Sequence, residues 1–426
     1  MQLTTPEPIA TTGPSTPDRL GLRWYWQLAI VCVALGLVFS RQPDALLHAQ
    51  FFAEDGKIWF ADAYNNGWFV SLFRAQDGYF QTLPRLAAAL SLLAPLALAP
   101  LVMNLVGLLI QILPVPLLLS SRLSAWGSLS LRATLAFTYL ALPNSSEMNV
   151  TIEEGQWHLA LVACLMLLSS APFNRAWKVF DTTIFVLCGL TGPFAVLLLP
   201  IAGLRLGRRR EPFARWRVFI LICTAAIQVC ALLLAHRDHW TLGASAEGLI
   251  RIVAGQVFLA AILGSNGLAS QNIMPFLVFV ALAGLLLIVY CFVYGSLEWK
   301  LFLLFSAVVF AACLYSPFTP QLLPGSTAWA MLIRTSGIRY WFFPTLAFIW
   351  TVVWYLLGRR HRPLSQFIGA TLMILMLIGV VRDWRIAPSK DAHFASYVRT
   401  FEASAPGTVL IIPENPDGWT LRLVKR

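Results

Sequence analysis

The residues best suited to chemistry lie in one short stretch, Phe51-Phe52-Ala53-Glu54-Asp55-Gly56-Lys57-Ile58-Trp59-Phe60-Ala61-Asp62, which sets three carboxylates among aromatic rings. Charge beside so much apolar surface is costly unless it pairs or works. A carboxylate there suits a general base that takes a proton from a hydroxyl. It also suits coordination of a hard divalent cation, Mg or Mn. The plainer reading is that Glu54 and Asp55 cap or solvate an interfacial helix. Glu54 and Lys57, three apart, can pair across one helical turn, which leaves Asp55 the freer acid. Asp55 and Asp62, seven apart, would share a helix face. Next come Gln76-Asp77-Gly78-Tyr79-Phe80, where Asp77-Gly78 reads as a turn, and Leu83-Pro84-Arg85.

A second dense polar stretch runs from Asn144 to His158 and contains Glu153-Glu154-Gly155-Gln156-Trp157-His158. Carboxylates and amides that grip hydroxyls, with an indole for the apolar sugar face, are the parts of a carbohydrate site. Asp77, Tyr79, Glu153, Glu154, Gln156, Trp157 and His158 are therefore the candidates for binding a sugar or acceptor. Glu153 and Glu154 are the best second carboxylates for acceptor or metal. Trp157 also suits a membrane-interface belt, and a lone His158 suits a structural role. Further on, Ser336-Gly337-Ile338-Arg339-Tyr340-Trp341 enters an apolar run. An Arg at headgroup depth can form paired hydrogen bonds to a phosphate. Arg339 is the first candidate, with Arg334 and Tyr340 beside it; an Arg snorkelling to lipid headgroups is the plain alternative. His236-Arg237-Asp238-His239 offers too few firm ligands for a metal and reads as a loop. Near the C-terminus, Val409-Leu410-Ile411-Ile412 reads as a short buried strand. Pro413-Glu414-Asn415-Pro416-Asp417-Gly418-Trp419 follows it as a rigid loop in a small packed cap.

The elements that must carry these residues are membrane spans. The chain is 58% hydrophobic and 12% charged, with mean hydropathy +0.70. Apolar stretches of spanning length recur from Trp24 to Val381. At ~20 residues per span they allow about 11 transmembrane helices. The fold class expected is an all-α polytopic membrane protein with external juxtamembrane helices and a small α/β C-terminal tail. The net charge of +11 is dispersed through short loops, so nucleic acid is not the partner. All seven cysteines fall in apolar runs, which excludes a disulfide framework or a cysteine metal cluster.

The cluster Arg205, Arg208, Arg209, Arg210, Arg215 and Arg217 fixes a cytoplasmic loop by the positive-inside rule. Alternation from that loop keeps Arg122, Arg132, Arg175, Lys178, Lys300, Arg359, Arg360 and Arg362 on the same side. Residues 1–23 form a disordered cytoplasmic tail and 24–381 the transmembrane domain. The loops 41–99, 144–156, 236–272 and 316–340 are external, and 382–426 is a small external domain. Within the loops, Thr82–Leu98 and Glu247–Leu263 read as interfacial or re-entrant helices. The hairpin Val179–Leu204, turning at Thr191-Gly192-Pro193, reads as two short, broken helices. Fifteen of the 20 carboxylates then fall on the outer face, a skew that topology alone does not require.

With one span, a long acidic first loop and a juxtamembrane helix entered through Gly78-Tyr79 and Leu83-Pro84-Arg85, the chain resembles the GT-C superfamily of integral-membrane glycosyltransferases, in a bacterial branch. These use polyprenyl-phosphate sugars and include the protein O-mannosyltransferases and aminoarabinose transferases. The resemblance covers most of residues 24–360 as architecture. It implies that the first-loop acid, Asp55 with Glu54 as rival, is the catalytic base. It also implies that membrane-edge basic residues such as Arg339 bind the lipid phosphate.

The expected function is transfer of a sugar, with inversion, from a polyprenyl-phosphate donor to an envelope glycan or glycolipid acceptor. The expected place is the external face of a bacterial inner membrane, with the N-terminus cytoplasmic and the C-terminus periplasmic. The absence of a large C-terminal soluble domain argues against a protein acceptor. A flippase of lipid-linked saccharides, or a non-catalytic scaffold in polysaccharide assembly, is the alternative. A transporter would carry ionisable residues at mid-membrane.

Overall fold

A computed structural model describes residues 24–208, 212–235, 241–265, 267–317, 326–334, 337–358 and 363–426. The expected cytoplasmic tail 1–23, Arg209 and Arg210, the His236–His239 loop, Ser336, and Arg359, Arg360 and Arg362 lie outside them.

The protein is mostly helical, with one small antiparallel sheet near the C-terminus. Among the described residues, six helices are long and apolar enough to cross a membrane: Leu96–Leu119, Phe213–Leu234, Ala246–Leu263, Met274–Tyr294, Leu297–Tyr315 and Ile338–Leu357. The expectation of about eleven spans is thus met only in the coarser sense of a multi-pass helical protein. Tyr25–Arg41, Gly155–Leu167 and Gln366–Arg382 are apolar but shorter. The hairpin expected as two short helices is a pair, Arg175–Gly189 and Phe194–Arg208. Gly155–Leu167 is the central element: every residue but Gln156 is buried, so it is apolar all round.

Loops gather at two ends of the bundle. At one end, Arg41 closes the first helix by donating to Leu140 O, Leu142 O and Asp383 O at 2.7, 3.0 and 3.4 Å. Asp383 in turn accepts from the backbone N–H groups of Asn144 and Ser265. At the other end, Asp181 takes a two-pronged contact from Arg122 at 2.7 and 2.8 Å and a third from Arg217 at 2.6 Å. Arg205 lies 3.8 Å from Glu298 there and donates to Ser169 O. Asp181 and Glu298 are buried, Glu298 in the first turn of its helix and Asp181 midway along its own. The pairing offsets a desolvation cost that a lone charge could not meet.

Two expected interfacial segments differ in outcome. Thr82–Ser91 is a separate helix, but Leu96–Leu98 is the first turn of the long helix that follows. Ala246–Leu263 is long enough to cross. Its ends meet loops, with Trp329 beside Gly248 and Asp383 beside Gly264, while between them Phe258 packs on Gly284 and on Phe348, midway along two long helices.

The C-terminal segment is the helix Phe394–Ala403 followed by strands Val409–Glu414 and Trp419–Val424, paired from Val409↔Val424 to Glu414↔Trp419. It packs on the first loop. Phe394 meets Phe51 at 5.4 Å between ring centroids, Phe401 meets Tyr64 at 6.0 Å, and Asn65 bonds both Arg422 O and Val424 N–H. Its aromatic contacts and strand edge join it to the first loop's core.

Candidate active site

The first loop is shaped by its apolar residues. Phe51, Trp59 and Phe60 are buried, and the wound segment Asp55–Phe60 continues into the helix Ala61–Asn66. Burying that face carries Asp55 inward, to 1% exposure. The second polar loop is held by side chains of the helix Ala99–Ile112 beneath it. Gln111 donates to Asn149 Oδ1 and accepts from Val150 N–H, each at 3.0 Å. A Cβ on Gly107 would strike the Thr151 backbone, so this helix can approach so closely only with glycine there. The loop then delivers Glu153 and Glu154 to the N-terminus of Gly155–Leu167, where the helix dipole favours negative charge.

The two loops meet in a cluster of acids. Arg339 Nη1 lies 3.2 Å from Glu154 Oε1 and 3.8 Å from Glu153 Oε1, and its backbone N–H donates to Glu147 Oε2 at 3.2 Å. Glu153 reaches the Glu54 carboxyl. Asp55 feels Glu54, Glu414 and Glu154, and its Oδ1 is buried without a hydrogen-bond partner. Burial first, then those three negative neighbours, hold the Asp55 carboxyl well above the usual carboxylate range. Burial likewise raises Glu153, with Glu54 and Glu154 adding to it. Glu154 is pushed up to about 7 by burial, against the opposing pull of Arg339. Glu414 is pushed up to about 8 by burial, with Lys57 opposing and Glu54 adding. Carboxyls packed this closely cannot all be ionised, so the cluster stores protons at neutral pH.

Glu414 and Glu147 complete this cluster, and sequence reasoning singled out neither. Glu414 carried one signal, a charge between prolines directly after a buried strand. The expected Glu54–Lys57 pair does not form. Glu54 faces Glu153, and Lys57 Nζ sits 4.5 Å from the Trp419 ring centroid as a cation–π contact. Asp62 does not share Asp55's surroundings either; it bonds Arg74 and Arg85 at 2.9 and 3.1 Å. The intervening change in winding, from the wider turn Asp55–Phe60 to the α-helix Ala61–Asn66, spoils the seven-residue repeat.

The other candidates divide. Trp157 packs against Phe194, Tyr340 and Phe343, and the hairpin tip at Gly192 abuts Gln156. His158 has both ring nitrogens committed, to Tyr139 at 2.8 Å and Met148 O at 2.7 Å, and is structural. Asp77 and Tyr79 belong to a tight turn closed by two Gln76–Tyr79 backbone bonds, with positive φ at Asp77 and Gly78. Arg334 ends a short helix and is exposed, whereas Tyr340 is buried beside Arg339. For a divalent cation, no group of three or more metal-binding side chains is arranged to hold one among the described residues. No known protein-family model matches the chain, and no curated protein sequence matches it.

Proposed function

We propose that the protein is a membrane glycosyltransferase that moves a sugar from a polyprenyl-phosphate donor to a glycan or glycolipid hydroxyl. The observation that carries the reading is Asp55, a water-excluded carboxyl with raised proton affinity and an unpartnered oxygen, close to the buried Glu154–Arg339 pair. An acid of that kind, once ionised, is a stronger base than a solvated carboxylate. Asp55 takes the acceptor hydroxyl proton as the oxygen attacks the anomeric carbon from the face opposite the leaving group. The C–O bond to phosphate breaks with inversion. Arg339 turns from Glu154 to the departing phosphate and stabilises its growing charge. Because Asp55 is covered, substrate entry requires displacement of the Glu414–Trp419 loop that lies over Gly56 and Lys57. Transport is less well supported, since the buried carboxylates Asp181 and Glu298 are each paired with arginines.

The test is the envelope glycan profile of a deletion strain complemented with wild type, Asp55→Asn, Glu54→Gln or Glu153→Gln, with protein levels matched. Asp55→Asn keeps the size and removes the base, so transfer should fall by ~10²–10⁴-fold. A dead Glu54→Gln or Glu153→Gln beside a normal Asp55→Asn would move the base to that residue. Wild-type glycans from all three would end the glycosyltransferase reading.

A further inference from the structure

Beside the acid cluster, on the opposite flank of Lys57, lies an open cleft of about 540 Å³ walled by Lys57, Ile58, Asp62, Arg74, Ala75, Gln76 and Arg85. Three cations face one carboxylate. Asp62 bonds Arg74 and Arg85 but can neutralise only one of them. Arg85 is 1% exposed, and its Nε is buried without a partner. Arg41, Arg132 and Arg217 also keep a buried Nε without a partner; what sets Arg85 apart is its place on the wall of a cleft beside two other cations. Two further acids stand near: Glu414 faces Lys57 from the C-terminal strand, and exposed Asp77 stands at the rim beside Gln76.

The approach to the cleft is apolar. The helix Trp68–Leu72 and the residue after it leave Trp68, Phe69 and Phe73 at 53, 60 and 66% exposure, immediately before Arg74. Exposed rings next to cations are the arrangement of a membrane–water interface, with rings at headgroup depth and basic groups among the phosphates.

We propose that this cleft is a phosphate-binding site, in which Lys57, Arg74 and Arg85 grip the phosphoryl group of an amphiphile whose apolar part lies along Trp68, Phe69 and Phe73. It is distinct from the contact assigned above to Arg339, and it stands whether or not the protein transfers sugar.

The experiment uses the full chain in lipid nanodiscs, with farnesyl phosphate, farnesol and inorganic phosphate as probes. Arg74→Gln and Lys57→Gln are the variants, because both side chains are exposed and their loss spares the core. Farnesyl phosphate should bind saturably and farnesol should not. Each variant should weaken farnesyl phosphate by about 10-fold or more, the usual loss for a charge-assisted contact. If inorganic phosphate binds as tightly as farnesyl phosphate and is equally weakened by the variants, the anion site stands and its ligand is free phosphate. Wild-type affinity in both variants, or no binding of either phosphate probe, would overturn the proposal.

Discussion

Glu414 Oε2 occupies the space that a side chain on Gly56 would need. The first loop and the C-terminal strand are therefore fitted to each other at the acid cluster. A methyl group at position 56 would also press on Phe51. Gly56→Ala should force Glu414 out and part the C-terminal hairpin from the first loop. Overpacking of this kind typically costs ~1–3 kcal/mol. Thermal unfolding of the purified variant should show the loss, and Gly56→Ala combined with Glu414→Ala should recover part of it. Equal stability of Gly56→Ala and wild type would contradict the fit.

Arg339 bears on donor binding. If it holds the phosphate of the donor, Arg339→Ala should weaken binding by ~1.5–3 kcal/mol. The same change leaves Glu154 buried without its cation, so a stability measurement must accompany it. Glu154→Gln tests the pair from the other side. It frees Arg339 and should leave donor affinity equal or improved. Unchanged affinity in Arg339→Ala would leave the arginine a purely structural role.

The pH dependence of stability follows from the raised acids. Burial pushes Glu154 up to about 7 and Glu414 up to about 8 in the folded state, against an ordinary value of 4.5. The folded state therefore binds more protons than the unfolded state across that interval, and stability falls as pH rises through it. The penalty is absent below the unfolded values and complete above the folded ones. Melting temperature should decline from about pH 5 to above pH 8, and Glu414→Gln should flatten the alkaline part of the decline. A melting temperature that rises over the same range would show that these carboxyls are not buried as described.

Sidedness is open to chemical labelling. Single cysteines at exposed Asn66 in the first loop and at exposed Arg208, in a background without the native seven, should react from opposite sides of the membrane. Position 66 should be labelled from outside. Labelling of position 66 only from the cytoplasm would remove both the expected topology and the donor chemistry built on it.

The sequence made some of this arrangement readable. Acids beside aromatics in a segment following an apolar run marked Asp55, because charge is costly there and composition alone displays the conflict. The polar run ending in Trp157 marked Glu153 and Glu154 for the same reason. Glu414 could not be found this way. It reaches the cluster through the pairing of two strands and the docking of Phe394 on Phe51, which are contacts between distant parts of the chain. Helical spacing also misled: three-residue separation paired Glu54 with Lys57, but Trp419 offered the lysine a ring and Glu153 met Glu54 instead. The span count differed because six expected spans fall short: Leu129–Leu140, Gly155–Leu167, Arg175–Gly189 and Phe194–Arg208 have 12, 13, 15 and 15 residues, and Tyr25–Arg41 and Gln366–Arg382 are also short, while Ala246–Leu263 is added. Apolar runs of that length satisfy a hydropathy reading before they satisfy the thickness of a bilayer.

Asp383 fastens Asn144 and Ser265 through its carboxylate, and its backbone takes Arg41. The consequence lies in the order of synthesis. All three partners leave the ribosome before Asp383 does, and Glu414 follows later still. Contacts between such distant parts of a chain repay their closure entropy only after both partners exist. A half-made chain thus holds its first loop with the acids of residues 54 and 55 uncovered. That end of the molecule is sealed only when residues 383 to 414 arrive.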